Sequence, residues 1–153
     1  MANSDSVAQY YLDSFGNGRI AVVQATALNT TGNAVIAIPF LNGGLTKGSS
    51  SVSSGSVIIR RITVNNPSGS VASANVSITT SNDGNTSNAV VASVVLANVT
   101  TTGTYQDLTI ASPYSTTTAV SGLNTSALFV NVNTASGNNN TVTIAVYGDV
   151  VQF

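Results

Sequence analysis

The chain has 153 residues and carries no Cys, His, Trp or Glu; its nine charged side chains are Arg19, Lys47, Arg60, Arg61 and five Asp, for a net charge of −1. Most catalysis needs a titratable group poised near neutral pH, a thiolate or a cluster of metal ligands, and this inventory can hardly assemble one. Four cations cannot supply the phosphate contacts of nucleic-acid binding or a polybasic membrane surface, and no stretch approaches the ~20 apolar residues of a membrane span.

A domain of this length buries roughly two thirds of its unfolded surface, so it holds a core without disulfides or metal. Met1 to Ser6 has neither the positive charge nor the apolar run of a secretory leader, so the chain reads as soluble and made in the cytoplasm. With so little charge, hydroxyls and amides must solvate the surface, or much of it must lie against neighbours in an assembly.

Residues 1–18 read as an N-terminal arm ahead of a single domain, residues 19–153. Gln9 to Phe15 is aromatic and has the composition of a helical turn; Tyr10, Tyr11 and Phe15 are a third of all aromatics in the chain. This segment either caps the domain or docks on a neighbouring subunit or partner, and Tyr10, Tyr11, Leu12 and Phe15 are the candidate anchors.

Beyond the arm, β-branched residues dominate and turn residues break the chain at the short intervals of a sandwich or barrel. The first predicted strand is Arg19–Leu28 and the second Ala34–Leu41, where Pro39 demands a sheet edge or a bulge. A Gly/Ser-rich loop, Asn42–Gly55, follows and contains Lys47 without the spacing of a phosphate-binding loop. The third strand, Ser56–Asn65, is stopped by Asn66-Pro67-Ser68-Gly69, a β-turn signature.

Ala74–Thr80 alternates cleanly as the fourth strand, and Ala89–Asn98, almost continuously apolar, reads as a fifth strand buried on both faces. Between them Asp83-Gly84 marks a hairpin turn; the surrounding Ser81–Asn85 resembles part of a calcium loop but lacks the second carboxylate and the closing Glu. A short sixth strand, Gln106–Ala111, precedes a loop at 112–124. Ala127–Asn133 and Thr141–Gln152 are the seventh and eighth strands, predicted to pair as a hairpin with Val130 and Val132 answered by Val142, Ile144 and Val146.

No Ser or Thr has a base at a recognisable spacing, and the five Asp are scattered through turns and termini, so the chain does not read as an enzyme and implies neither metal nor cofactor. Asn-x-Ser/Thr triplets such as Asn75-Val76-Ser77 are expected by chance in so Asn- and Thr-rich a chain. Arg60-Arg61 is the one charged feature with functional promise. Neighbours in a strand point to opposite faces, so one guanidinium is expected beside apolar side chains. Each Arg either snorkels from a strand end or pairs with Asp107, Asp149 or a neighbouring subunit's carboxylate. Long uncharged strands such as Val90–Leu96 and Val57–Val64 must be paired or covered in a soluble protein, which favours a closed oligomer or permanent assembly.

Eight strands, Ser/Thr/Asn-rich loops and the segment Leu128–Phe153, LFVNVNTASGNNNTVTIAVYGDVVQF with its Tyr-Gly-Asp element, resemble the jelly-roll capsid decoration, or cement, proteins of tailed bacteriophages. The resemblance implies an all-β, antiparallel eight-stranded sandwich, jelly-roll-like, that assembles as a homotrimer. It further implies a virion protein on the outer capsid surface that clamps neighbouring major capsid protein subunits, with the arm, Ala2 to Phe15, as the anchor; from the residues themselves, Tyr10, Tyr11, Leu12, Phe15, Arg60 and Arg61 are the interface candidates. The alternatives are a carbohydrate- or receptor-binding sandwich, for which Tyr105, Tyr114 and Tyr147 are the available platforms, and another structural subunit of a tail, fibre, surface layer or filament.

Overall fold

The computed structural model describes residues 16–32, 36–39, 56–83, 89–111 and 127–151. They form eight strands: β1 (Arg19–Ala27), β2 (Ile36–Pro39), β3 (Ser56–Asn65), β4 (Asn75–Thr79), β5 (Ala89–Val95), β6 (Gln106–Leu108), β7 (Ala127–Thr134) and β8 (Thr141–Val151). Each lies within a residue or a few of its predicted bounds, because Gly, Pro, Asn and Asp punctuate the chain wherever a strand stops.

Two four-stranded sheets result, ordered β1-β8-β3-β6 and β2-β7-β4-β5, with every pairing antiparallel. The first strand pairs with the last, the second with the seventh, the third with the sixth and the fourth with the fifth. The chain thus behaves as one long folded ribbon wrapped into two layers. Every strand sends at least one side chain into a single core cluster: Ala21, Ile38, Ile59, Val76, Val90, Leu108, Leu128 and Ile144 are all buried there. Full burial of each larger one stabilises the fold by about 1.5–3 kcal/mol. The molecule is therefore an all-β sandwich of eight antiparallel strands.

Pro39 sits on an edge strand, β2, as its missing N–H requires. β3 stops at Asn65 as expected, and the chain bends at Ser68 and Gly69. Asn66 adopts φ 49°, the left-handed region that Asn tolerates, and the bend is stapled to the start of β8 by Ser68 N donating to Thr141 O at 2.9 Å and Thr141 N to Ser68 Oγ at 2.9 Å.

Two expectations fail. β7 and β8 do not form a hairpin: β7 pairs with β2 and β4, β8 with β1 and β3, and residues 135–140 carry the chain from one sheet to the other. Val130, Val132, Val142, Ile144 and Val146 do share the core, but from opposing sheets rather than from neighbouring strands. Alternating apolar residues look the same in either arrangement, which is why the pattern misled.

Nor is β5 buried on both faces. It is an edge strand with an irregular register, and Ala92, Ser93 and Val95 are exposed. Its free edge is partly occupied instead. Gln106 Nε2 donates to Val95 O at 2.9 Å, and Ala111 N donates to Val90 O at 2.7 Å. The predicted hazard of an uncharged edge is met by these two caps.

Candidate functional site

Of the six charged residues among those described, five lie on strands of the β1-β8-β3-β6 sheet, and the sixth, Asp83, follows β4 in the other sheet. Arg19 lies on β1, Arg60 and Arg61 on β3, Asp107 on β6 and Asp149 on β8. β3 carries a bulge. Ile59 pairs with Gly148 and Arg61 with Tyr147, so Arg60 is an extra residue without a register partner. The bulge resets the alternation: Ile59, Ile62 and Val64 all face the core, at 1%, 0% and 0% exposure. Neither guanidinium is forced among apolar side chains, which corrects the expectation drawn from simple strand alternation.

Both arginines instead pair within the chain. Arg60 Nε donates to Asp149 Oδ2 at 3.1 Å, and Arg61 Nε donates to Asp107 Oδ1 at 2.8 Å. These are the two carboxylates named from the sequence. Arg61 is the better enclosed of the two, and its guanidinium lies 5.9 Å from the centre of the Tyr105 ring, within cation–π range. Tyr10, Tyr11, Leu12 and Phe15, like Lys47 and Tyr114, lie outside the described residues.

Gly148 is what lets β8 meet the bulge. A Cβ at this position would stand 3.0 Å from the Ile58 carbonyl carbon, 3.2 Å from the Ile59 Cα, and inside contact distance of the Ile58 oxygen. The Tyr-Gly-Asp element therefore has three tasks in consecutive residues. Tyr147 stands on the outer face opposite Arg61, Gly148 admits the β3 backbone, and Asp149 holds Arg60.

On this face an open groove of about 570 Å³ is lined by Arg61, Asn65, Asn66, Thr102, Tyr105 and Tyr147. Thr63 also lines it, and lies opposite Ala145 across the β3–β8 ladder. Both small side chains are buried, at 3% and 1% exposure. Tyr105, at 57% exposure, is the most exposed large side chain there.

The loop at 100–104 that walls the groove is tied by its own side chains. Thr104 Oγ1 accepts from Thr100 N at 3.0 Å and Thr101 N at 3.1 Å and donates to Thr101 O at 2.7 Å, while Thr102 Oγ1 donates to Pro67 O at 3.3 Å. A second depression of about 400 Å³ adjoins the first, sharing Asn66 and Thr102 and running towards Gln24, Ala25 and Thr143. Ala25 holds φ 49° at a bulge in β1, where Val23 pairs with Ile144 and Thr26 with Val142.

Sequence reasoning had singled out Tyr105 and Tyr147 but not the Asn65, Asn66 and Thr102 wall. Asn65 and Asn66 meet Tyr105 only through the sheet order, whereas Thr102 is three residues from it in one loop. The Gly148 role did leave a signal, since Gly inside a strand marks a bulge or a close backbone approach. Among the described residues no three carboxylates converge into a metal-binding group. No family model, curated protein or solved structure matches the chain.

Proposed function

We propose that this chain is a structural virion protein, a phage capsid decoration protein with no chemical step. It binds the outer capsid surface and stabilises the head by clamping neighbouring subunits of the major capsid protein. The observation that supports this most is the strand order. The order 1-8-3-6 over 2-7-4-5 fits the two nested Greek keys of a jelly roll, an architecture used by viral capsid proteins. A chain with nine charges, two pairs of which neutralise each other inside one sheet, is suited to a permanent assembly that relies on surface burial. In this reading it acts as a homotrimer, so that several modest contacts per particle combine into avidity. Tyr10, Tyr11, Leu12 and Phe15 of the arm carry the anchoring, Arg60 and Arg61 add a paired charged patch, and neither nucleic acid nor membrane takes part. The protein is made in the host cytoplasm and resides on the virion.

The test is light scattering behind size exclusion, followed by cosedimentation with empty expanded phage capsids. A particle of three times 15.4 kDa that saturates capsids, and loses binding when residues 1–15 are removed, is the expected result. A monomer that leaves capsids bare overturns the proposal.

A further inference from the structure

We propose that the outer face of the β1-β8-β3-β6 sheet carries a binding groove for an uncharged oligosaccharide, a site that stands independently of the capsid reading. The two adjoining depressions, about 570 and 400 Å³, share Asn66 and Thr102 and so make one elongated trough. Each is within the size range of small-ligand sites. An elongated trough suits a chain of sugar rings better than a single ring.

The lining has the chemistry a neutral saccharide needs. Tyr105 presents a largely exposed ring at one end, and aromatic faces take up apolar C–H surfaces. The same lining holds Asn65 and Asn66, whose amides both donate and accept, as sugar hydroxyls do, and Thr102, whose hydroxyl donates to Pro67 O and can still accept. The side-chain amides of Asn65 and Asn66 make no hydrogen bond to any described residue, so they are available to a ligand.

Charge narrows the class. Among the described residues the one cation lining the larger depression, Arg61, is engaged by Asp107 at 2.8 Å and lies beside the Tyr105 ring. No carboxylate among the described residues lines either depression. An anionic ligand would have to compete with Asp107 for Arg61, and a metal would find no hard charged ligand. The wall is also set in advance, because Thr104 closes the 100–104 loop on itself and Thr102 ties it to Pro67. A preformed wall lowers the ordering cost of binding.

The experiment uses the full chain. Neutral trisaccharides of glucose, galactose and N-acetylglucosamine, with sialyllactose as a charged comparison, are titrated to about 10 mM, the range in which a weak site is still read. Amide chemical shifts and tyrosine fluorescence report binding; the chain has no Trp to mask the latter. In a second arm, gels cast with a neutral polysaccharide separate a ligand that must span the trough from one held by a single ring. Expected are shifts centred on residues 61–66 and 102–105 for a neutral sugar, free or polymeric. Tyr105→Ala should weaken binding about tenfold, and Tyr105→Phe should stay within about threefold of the parent, because the ring rather than its hydroxyl carries the contact. Thermal melts confirm that both variants are folded. The proposal is overturned by silence towards every neutral sugar, by preference for the charged one, or by binding indifferent to Tyr105→Ala. It is also overturned if Tyr105→Ala dissociates an oligomer, since the groove is then a subunit interface.

Discussion

Gly148→Ala is the most searching perturbation of this fold, because one methyl strikes the junction on which both ion pairs and the groove depend. The atoms in its way, Ile58 C and O and the Ile59 Cα, are backbone of the partner strand and have no rotamer to give. β3 and β8 must part locally, at the bulge and in the centre of a sheet. Loss of one or two ladder hydrogen bonds at about 1 kcal/mol each, with about 1–3 kcal/mol of overpacking strain, is offset by about 0.5–1 kcal/mol of restricted unfolded-state freedom. The net expectation is a destabilisation of about 2–3 kcal/mol, measured as a fall in urea midpoint of about 1 M or more at unchanged slope. Gly18→Ala is the internal control. It replaces the residue whose carbonyl accepts from Gly148 N, yet its Cβ would meet nothing closer than Gly148 O at 3.9 Å. That variant should be neutral or slightly stabilising. If the two substitutions have equal effects, or Gly148→Ala moves stability by under about 0.5 kcal/mol, the close approach of β8 to the bulge is wrong.

Ala25→Gly removes a side chain from a left-handed backbone that costs about 1–2 kcal/mol, against a smaller entropic loss; calorimetry should show a higher melting temperature, and a lower one contradicts the β1 bulge. Asn131→Ala deletes the donor of a buried 3.1 Å bond to Thr79 Oγ1 and should cost about 1–3 kcal/mol in chemical denaturation, more than an exposed Asn such as Asn139→Ala. Asp107→Asn at the partly exposed pair with Arg61 should cost about 1 kcal/mol or less, and that loss should shrink as salt is raised; a salt-independent loss points to packing rather than charge. Ile144→Ala, at a fully buried position of β8, should cost about 2–5 kcal/mol by the same unfolding assay.

Strand positions were legible because they are written locally, in β-branched runs bounded by Gly, Pro, Asn and Asp. Partnership was not, because Val130 and Val132 present the same alternation whether Val142 and Ile144 lie beside them or across the core. The Arg60 and Arg61 partners were within reach of elimination, since few carboxylates exist to choose from. That both arginines share one face was not, because a bulge is set by the partner strand: the signal lay 88 residues later at Gly148, inside an otherwise unbroken strand. Asn65, Asn66 and Thr102 are residues too common in this chain to stand out, and only the sheet order brings Asn65 and Asn66 into one lining with Tyr105.

The two sheets satisfy their polar side chains by different means. The β1-β8-β3-β6 sheet concentrates charge and then cancels it pairwise, leaving rings and amides to define its recesses. The β2-β7-β4-β5 sheet uses a lattice of neutral side chains. Asn133 Nδ2 donates to Asn75 Oδ1 at 3.1 Å, Ser93 Oγ donates to the same oxygen at 2.6 Å, and Asn131 bonds Thr79 one step along the ladder. Such bonds link β4, β5 and β7 across the sheet and satisfy one another, so few donors are left for a ligand. An amide lattice also changes little with ionic strength, unlike a surface of ion pairs. The described depressions are accordingly lined by the charged sheet and the loop at 102–105, while the neutral lattice ties together the strands of the other layer.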